Sequence, residues 1–221
     1  MVQETFSLGT PALVCRWRLY NGELPLQSRH MRALAARTVG GRRITPELVA
    51  WVKQRVEWGL SPTTCEHPDG VLMLVVDAKG SSALSLGPYQ PLGNTSAREL
   101  LTRAELSQQE ARTTGVAPEE LWIARHDYLV RCTSADFAPS GASSLIVDLA
   151  HTMGIAVQHS NSMLEDVAWN GYAGSEAFLV SDEHGIVPSS DHGGKRAEKF
   201  AQSYQKLLER NLQQPGRKRT G

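Results

Sequence analysis

The eight residues VLMLVVDA (71–78) form an almost continuous apolar run, which predicts a central β-strand covered on both faces. Strand-like and helix-like stretches alternate on either side of it. ALVCRWRLY (12–20) has the alternating pattern of a half-buried strand, and TPELVAWVKQRVEWGL (45–60) has the periodicity of an amphipathic helix. Thr45 and Pro46 are typical of a helix start. This interleaving predicts an α/β or α+β protein.

The alternating elements fall into two groups, which predicts a two-lobed protein with a cleft between the lobes. Residues 1–86 are predicted to form a small N-terminal lobe, and residues 97–212 a larger C-terminal lobe. The stretch between them, 87–96, is rich in Gly and Pro and is predicted to connect the lobes. Residues 213–221 form a basic tail. A cleft between lobes is the ordinary place for a ligand.

The other predicted elements are shorter and follow from local periodicity and turn residues. The predicted helices are 25–38, 96–115, 142–154, 163–171 and 193–212, with Gly115 expected to end the second of them. The predicted strands are 4–8, 119–125, 128–137, 155–160 and 176–182.

Charge and cysteine content exclude several classes of protein. Lys plus Arg and Asp plus Glu are both 23, so the net charge is zero, and no basic surface for nucleic acid is expected. Three cysteines without a CxxC pair argue against a disulfide framework or a structural zinc site. No signal sequence and no run of transmembrane length is evident. We therefore expect a cytoplasmic protein without a membrane or nucleic-acid partner.

Four segments resemble those of the class IV aminotransferases, the pyridoxal phosphate (PLP) fold shared by D-amino-acid aminotransferase and aminodeoxychorismate lyase. They follow one another in the family's order, and they are YNGELPLQSRH (20–30), EARTTGVAPEELWI (110–123) with the strand after it, PSGASSLIVDLAHTMGIAV (139–157) and SEAFLVSDEHGIVP (175–188). The resemblance implies a two-lobed fold, a homodimer and PLP as the cofactor. It also implies that the third and fourth segments contain the two loops that hold the cofactor phosphate.

The residues that the family uses for PLP are nevertheless missing. The family joins PLP to a lysine just before the helix predicted at 96–115, but the chain has no lysine between Lys79 and Lys195. Lys79 ends the strand 71–78 and is a poor substitute. Ala33 stands at the position of the arginine that binds the phosphate, and Arg131 stands where the family has the glutamate that pairs with the pyridine nitrogen. No cofactor is therefore predicted.

The second phosphate loop has also changed. Asp182 and Glu183 lie where a phosphate dianion would be held, and two carboxylates at a few ångströms would repel it by several kcal/mol unless they were neutralised. The helix start with Ser143 and Ser144 keeps the anion-binding capacity of any helix N-terminus. The sequence therefore predicts an aminotransferase-like fold that no longer uses PLP.

The first functional hypothesis is a PLP-independent lyase- or isomerase-type enzyme that acts on a small carboxylate-bearing metabolite, such as an amino acid, keto acid or chorismate-like ring. His184 with Asp182 would move protons. Arg131 would bind the substrate carboxylate with Ser143, Ser144 and Ser181. A second hypothesis is a catalytically silent relative that binds a ligand or a partner subunit. A third is a PLP-dependent lyase or transaminase that uses Lys79.

Each of these candidate residues also has a structural interpretation. Asp182, Glu183, His184, Asp191 and His192 could bind a metal, transfer protons or form a solvated loop, and their spacing matches no established metal motif, so no metal is predicted.

Four residues outside this cluster have structural alternatives as well. Arg131 could instead form a structural ion pair with Asp136 or Asp127. Cys132 could be a reactive thiol, although a buried inert thiol is favoured. His30 and His151 are expected to be core or interface residues.

Overall fold

The computed structural model describes residues 8–60, 65–134, 136–160, 162, 167, 171–172 and 174–213. The helices in these ranges are α1 (Gln27–Ala35), α2 (Pro46–Gly59), α3 (Ala97–Thr114), α4 (Gly141–Thr152) and α5 (Lys195–Gln213). The strands are β1 (Pro11–Arg18), β2 (Thr38–Val39), β3 (Arg42–Arg43), β4 (Val71–Asp77), β5 (Ser82–Gly87), β6 (Glu120–Ala124), β7 (Tyr128–Cys132), β8 (Ala156–His159), β9 (Glu176–Ser181) and β10 (Gly185–Pro188). The predicted α/β architecture is confirmed.

The N-terminal part of the chain forms a three-stranded antiparallel sheet in the order β1-β4-β5. The apolar run at 71–78 is its central strand, as predicted. On one face, Trp17 of β1 and Leu74 of β4 pack with Val52 of α2 in a buried cluster. The opposite face of β1 presents Arg16 toward α3. This alternation of buried and charged residues along β1 brings the charged side chain to the site described below.

The C-terminal part forms a five-stranded sheet in the order β10-β9-β6-β7-β8. Its pairs are antiparallel except β7 with β8, which α4 joins as a crossover. Both faces are covered. Trp122 and Phe178 pack with Phe200 of α5 on one side, and Leu121 and Leu179 pack against α3 on the other. Burial on both faces explains why β6 and β9 are apolar throughout.

The two sheets meet where β1 ends. The Arg18 amide donates to the Asp182 carbonyl in the β9–β10 turn, over 3.0 Å. At the far end of α3, Gly115 has φ +62, and a Cβ there would lie 2.7 Å from the carbonyl oxygen of Ala12. Glycine is therefore needed both for the helix end and for the approach of β1. The exact division of the chain into lobes stays a prediction, as does a cleft between them.

Most predicted elements are confirmed, including the Thr45 cap of α2 and the Gly115 end of α3. The sequence analysis did not predict β5, β10 or the small β2–β3 hairpin. The predicted strand at 4–8 and the predicted helix at 163–171 lie largely outside the described residues. Within the described ranges, we find no helix whose length and apolarity would let it cross a membrane.

Candidate functional site

A cavity of about 420 Å³ lies between β1, the end of α1, α3 and the β9–β10 turn. This volume is in the usual range for a small-molecule site. Its charged lining residues are Arg16, Arg37, Glu99, Arg103, Glu110, Glu119, Asp182 and Glu183. His30 and Ala33 of α1 also line it, with apolar wall from Trp17, Leu34, Leu92, Leu106 and Val116. The cavity is therefore polar and charged, with an apolar part.

Asp182 connects this cavity to the start of α4. The first amides of a helix have no partner within the helix and must be satisfied elsewhere. Here the Ser140 hydroxyl accepts from the Ser143 amide at 3.0 Å. The Gly141 and Ala142 amides donate to the carboxylate of Asp182 over 3.3 and 2.7 Å. Asp182 comes from the β9–β10 turn, so a carboxylate of the chain itself occupies the helix N-terminus.

His30 completes this arrangement from α1. Its side chain is 3% exposed, and its Nδ1 lies 3.4 Å from Asp182 Oδ2. A Cβ on Gly141 would lie 2.6 Å from the same nitrogen, so only glycine lets α4 approach His30 this closely. Burial acts to raise the pKa of Asp182, but His30 and the two amides outweigh it and lower the pKa. Asp182 is therefore a largely buried carboxylate that is charged and accepts from both amides.

These residues do not fit the phosphate of PLP. The resemblance would place that phosphate between the α4 start and the β9–β10 turn, where the Asp182 carboxylate already takes the two free amides. Ala33 lines the cavity without offering a cation. Lys79 is exposed in the turn after β4 and is not among the lining residues. Neither the anion nor the lysine that covalent PLP chemistry needs has a place among the described residues.

Arg131 does not reach the cavity. Its guanidinium donates to both carboxylate oxygens of Glu120, at 2.8 and 2.5 Å, inside the second sheet. The Ser143 hydroxyl and the Trp122 indole donate to the same carboxylate at 2.6 and 3.1 Å. The predicted ion pair with Asp136 or Asp127 was wrong in its partner, because β6 places Glu120 diagonally opposite Arg131. The substrate-clamp role of Arg131 stays a prediction, although its donors are engaged.

His184 and Asp182, the predicted proton-moving pair, do not contact each other. The His184 side chain is 2% exposed, with Nε2 2.8 Å from an Arg103 nitrogen and Nδ1 3.2 Å from the Tyr89 hydroxyl. Burial lowers the pKa of His184 to about 4, and nearby Arg103 adds to this although Glu119 opposes it. Asp182 and His184 lie two positions apart in the turn and point to different sides, so Asp182 meets His30 and His184 meets Arg103. A proton-moving role for this pair stays a prediction, although the two side chains have separate partners.

The predicted anion-binding serines have different positions. The Ser181 hydroxyl lines the cavity, donates to Glu119 at 3.0 Å and accepts from the amides of Glu183 and His184. Ser144 donates to the Gly141 carbonyl at 2.8 Å. Ser143 is completely buried, with its hydroxyl bound to Glu120. Of the three, only Ser181 lines the cavity, and anion binding by these serines stays a prediction.

The remaining candidates have structural surroundings. Asp191 accepts from the Ala97 amide at 2.7 Å and so supports the start of α3. In the described part of the chain, no three His, Cys, Asp or Glu side chains form a group that could hold a metal. Cys132 is fully buried, and burial raises the pKa of its thiol, as the favoured interpretation predicted. His30 is buried as predicted, but His151 is exposed and is not a core residue.

The charged lining residues on β1, α3 and the loops after α1 and α3 were not among the sequence-based candidates, and two lining residues matter most for the proposals below. Arg37 follows α1, is 8% exposed and lines the cavity, and it has no ion-pair or hydrogen-bond partner for its guanidinium among the described residues. It lies four positions after Ala33, about one helical turn on, and this spacing could have drawn attention to it. Glu183 also lines the cavity, and burial together with Glu119 raises its pKa.

Solved structures with a similar fold are known. A hypothetical aminotransferase from Mycobacterium tuberculosis, in its PLP-bound form, has a TM-score of 0.60 and 13% identity, with 96% of each chain covered. The 4-amino-4-deoxychorismate lyase from Pseudomonas aeruginosa has a TM-score of 0.54 and 15% identity, with 91% of this chain and 96% of that chain covered. The chain has the class IV aminotransferase-like fold. No protein-family model and no curated protein sequence matches it. At these identities the likeness establishes the fold alone.

Proposed function

We propose that this chain is a PLP-independent enzyme that acts on a small carboxylate-bearing metabolite in the cavity beside α4. One observation supports this most strongly: the Asp182 carboxylate takes the Gly141 and Ala142 amides, so the chain supplies its own anion at the start of α4. A helix N-terminus that is already neutralised offers little further attraction to a phosphate. The cavity itself remains large enough for a small ligand.

Glu183 is the side chain best suited to acid/base chemistry in this cavity. It lines the cavity, and burial and the neighbouring Glu119 raise its pKa although Arg16 and Arg103 oppose this, and a carboxyl with a raised pKa in a cavity is a candidate for proton transfer. His184 is less suited, because it is buried behind Arg103 and Tyr89 and its pKa is about 4. Glu183 therefore replaces His184 and Asp182 as the proposed proton carrier.

A catalytically silent ligand-binding protein is the second candidate. It is favoured by the engagement of the three predicted catalytic side chains: Asp182 with α4, His184 with Arg103, and Arg131 with Glu120. Glu183 would then have no catalytic partner among these three side chains. The homodimer and the cytoplasmic location implied by the sequence stay predictions for either candidate.

Reductive labelling tests the PLP-independent part of the proposal. The purified protein is incubated with PLP and reduced with borohydride, and the lysine adducts are located by peptide mass spectrometry. We expect Lys79 to be labelled no more than Lys53, which is another exposed lysine. In the Lys79→Arg variant, the labelling of the other lysines should be unchanged. A stoichiometric adduct on Lys79 would establish a PLP enzyme and overturn the proposal.

Turnover separates the enzyme from the silent binder. Mixtures of amino acids, keto acids and cyclic carboxylates are followed by proton NMR with the wild type and with Glu183→Gln. An enzyme of the proposed kind consumes one substrate class with the wild type and loses about 100-fold or more of that rate in Glu183→Gln. Binding without turnover favours the second candidate, and equal turnover by both proteins removes Glu183 from the mechanism.

A further inference from the structure

His30 is held on three sides where it lines the cavity. Its ring packs against Trp17 of β1, with 5.5 Å between the ring centroids. A Cβ on Gly141 would lie 2.6 Å from Nδ1, so the start of α4 packs directly on the imidazole. Asp182 approaches the same nitrogen from the β9–β10 turn, at 3.4 Å. Because three elements surround the ring, its orientation is fixed by the fold.

The two ring nitrogens of His30 have different surroundings. Nδ1 is sealed from solvent, and among the described residues no group forms a well-aligned hydrogen bond with it. Nε2 is not sealed in this way, although the side chain is only 3% exposed. Leu34 and Arg37 follow His30 by about one and two helical turns and also line the cavity, so one side of α1 faces it. Nε2 is therefore the ring nitrogen on the cavity side.

Asp182 is suited to control the protonation of this ring. Its carboxylate is held in place by the Gly141 and Ala142 amides, and although burial acts to raise its pKa, His30 and these amides lower it, so the carboxylate is charged. Arg37 has no ion-pair partner among the described residues and so does not neutralise Asp182. A charged carboxylate beside Nδ1 favours the tautomer with the proton on Nδ1, which leaves a basic lone pair on Nε2.

We propose that His30 is a second proton-transfer residue of the cavity, with its Nε2 facing the substrate and Asp182 as the positioning residue that holds the Nδ1 proton. The inference rests on the proposed function and deepens it, because a lyase or isomerase removes a proton from one atom and delivers one to another. Nε2 takes a proton from the substrate, Asp182 stabilises the imidazolium that forms, and Nε2 later gives the proton back. Glu183 handles the other proton. Contacts between catalytic groups are often as long as 3.4 Å until a substrate binds.

His184 provides a matched comparison within the same protein. Its side chain is 2% exposed, against 3% for His30. Arg103 and Tyr89 contact its two ring nitrogens, at 2.8 and 3.2 Å. The two histidines are therefore about equally buried and differ in whether a ring nitrogen is available. His151, which is exposed on α4, shows how a histidine in water behaves.

NMR of the ring nitrogens tests the tautomer of His30. The protein is labelled with nitrogen-15 histidine and observed at mildly alkaline pH, where imidazoles are neutral. We expect His30 to carry its proton on Nδ1. In Asp182→Asn an amide nitrogen replaces one carboxylate oxygen, and we expect the His30 proton to move to Nε2. A wild-type His30 with its proton on Nε2 would overturn the inference.

Acylation with diethyl pyrocarbonate tests whether Nε2 is open to the cavity. A neutral ring nitrogen attacks the reagent and keeps an ethoxycarbonyl group, while carbon dioxide and ethanol leave with the ring proton. Peptide mass spectrometry follows each histidine. We expect His30 to react about tenfold or more faster than His184 and more slowly than His151, and Asp182→Asn to slow His30 about tenfold, because the Nε2 lone pair is lost. Reaction of His30 as slow as that of His184 would overturn the inference.

Turnover tests the chemical role of His30. His30→Asn keeps a side-chain nitrogen that can donate to Asp182 but has no counterpart of Nε2. It should lower kcat about 100-fold and change KM less than about threefold, because a proton-transfer group acts in the chemical step. His151→Asn is the control, and thermal unfolding identifies any loss that arises from loss of the fold. Wild-type kcat in a folded His30→Asn variant would overturn the inference, whereas PLP labelling of Lys79 would overturn the proposed function.

Discussion

Two parts of the same cavity differ in how their charged side chains are compensated. At the start of α4, the Asp182 carboxylate has two amide donors and the His30 ring around it. Elsewhere in the cavity, Arg37 has no ion-pair partner among the described residues, and burial and Glu119 raise the pKa of Glu183 although Arg16 and Arg103 oppose this. The first arrangement resembles a helix cap and stabilises the fold. The second costs stability, and such a cost is typical of a binding site. A ligand is therefore expected beside Arg37 and Glu183.

The largest expected effect comes from breaking the satisfied part. Asp182→Ala leaves the Gly141 and Ala142 amides without their acceptor and removes the carboxylate beside His30, and the free energy of unfolding should fall by about 3 kcal/mol or more. Denaturant titration measures it. Asp148→Ala is the matched control, because Asp148 is exposed in its ion pair with Arg29, and this variant should lose less than about 1 kcal/mol. Equal losses of stability in the two variants would contradict a stabilising role of Asp182 at the start of α4.

A smaller effect concerns pH. His184 has a pKa of about 4 in the folded protein against an ordinary value of 6.5, so the unfolded chain binds more protons between these values. Stability should therefore fall by roughly 1–2 kcal/mol as the pH drops from 6.5 toward 4, after allowance for solvent screening. His184→Gln should flatten the free energy of unfolding over this window, whereas the exposed His126→Gln should not. If the free energy of unfolding depended on pH as steeply in His184→Gln as in the wild type, this would contradict a buried, neutral His184.

The smallest effect has the opposite sign. Because the folded state raises the pKa of Glu183, its charge destabilises the fold as the pH rises through that pKa. Glu183→Gln should therefore raise stability at neutral pH by a few tenths to about 1 kcal/mol while weakening ligand binding. Thermal unfolding measures this gain, with the exposed Glu105→Gln as the control. A destabilised Glu183→Gln variant would mean that Glu183 has a stabilising partner.

Much of the fold was predictable from local patterns. The apolar run at 71–78 indicated a buried strand, and the caps at Thr45 and Gly115 marked helix ends that depend only on nearby residues. The strand β5 was missed because SALSLG is half-buried and lies in a Gly- and Ser-rich region, so its pairing with β4 depends on the sheet and not on its own composition.

The candidate site was less predictable, because its contacts join residues far apart in sequence. The resemblance drew attention to Asp182, but its partners Gly141 and His30 depend on how three elements pack. Arg131 was matched with the wrong acid because Asp127 and Asp136 are near in sequence, whereas Glu120 is near across the hairpin. Arg37 was missed because an unpaired arginine can be recognised only when its surroundings are known.

The most direct measurement is an NMR titration of the Gly141 and Ala142 backbone amides with inorganic phosphate, in the wild type and in Asp182→Ala. We expect no shift of the wild-type amides, because Asp182 accepts from them, and a saturable shift in the variant, where the carboxylate has been removed. Saturable shifts of these amides in the wild type would contradict it, because the helix start would then still be an open phosphate site.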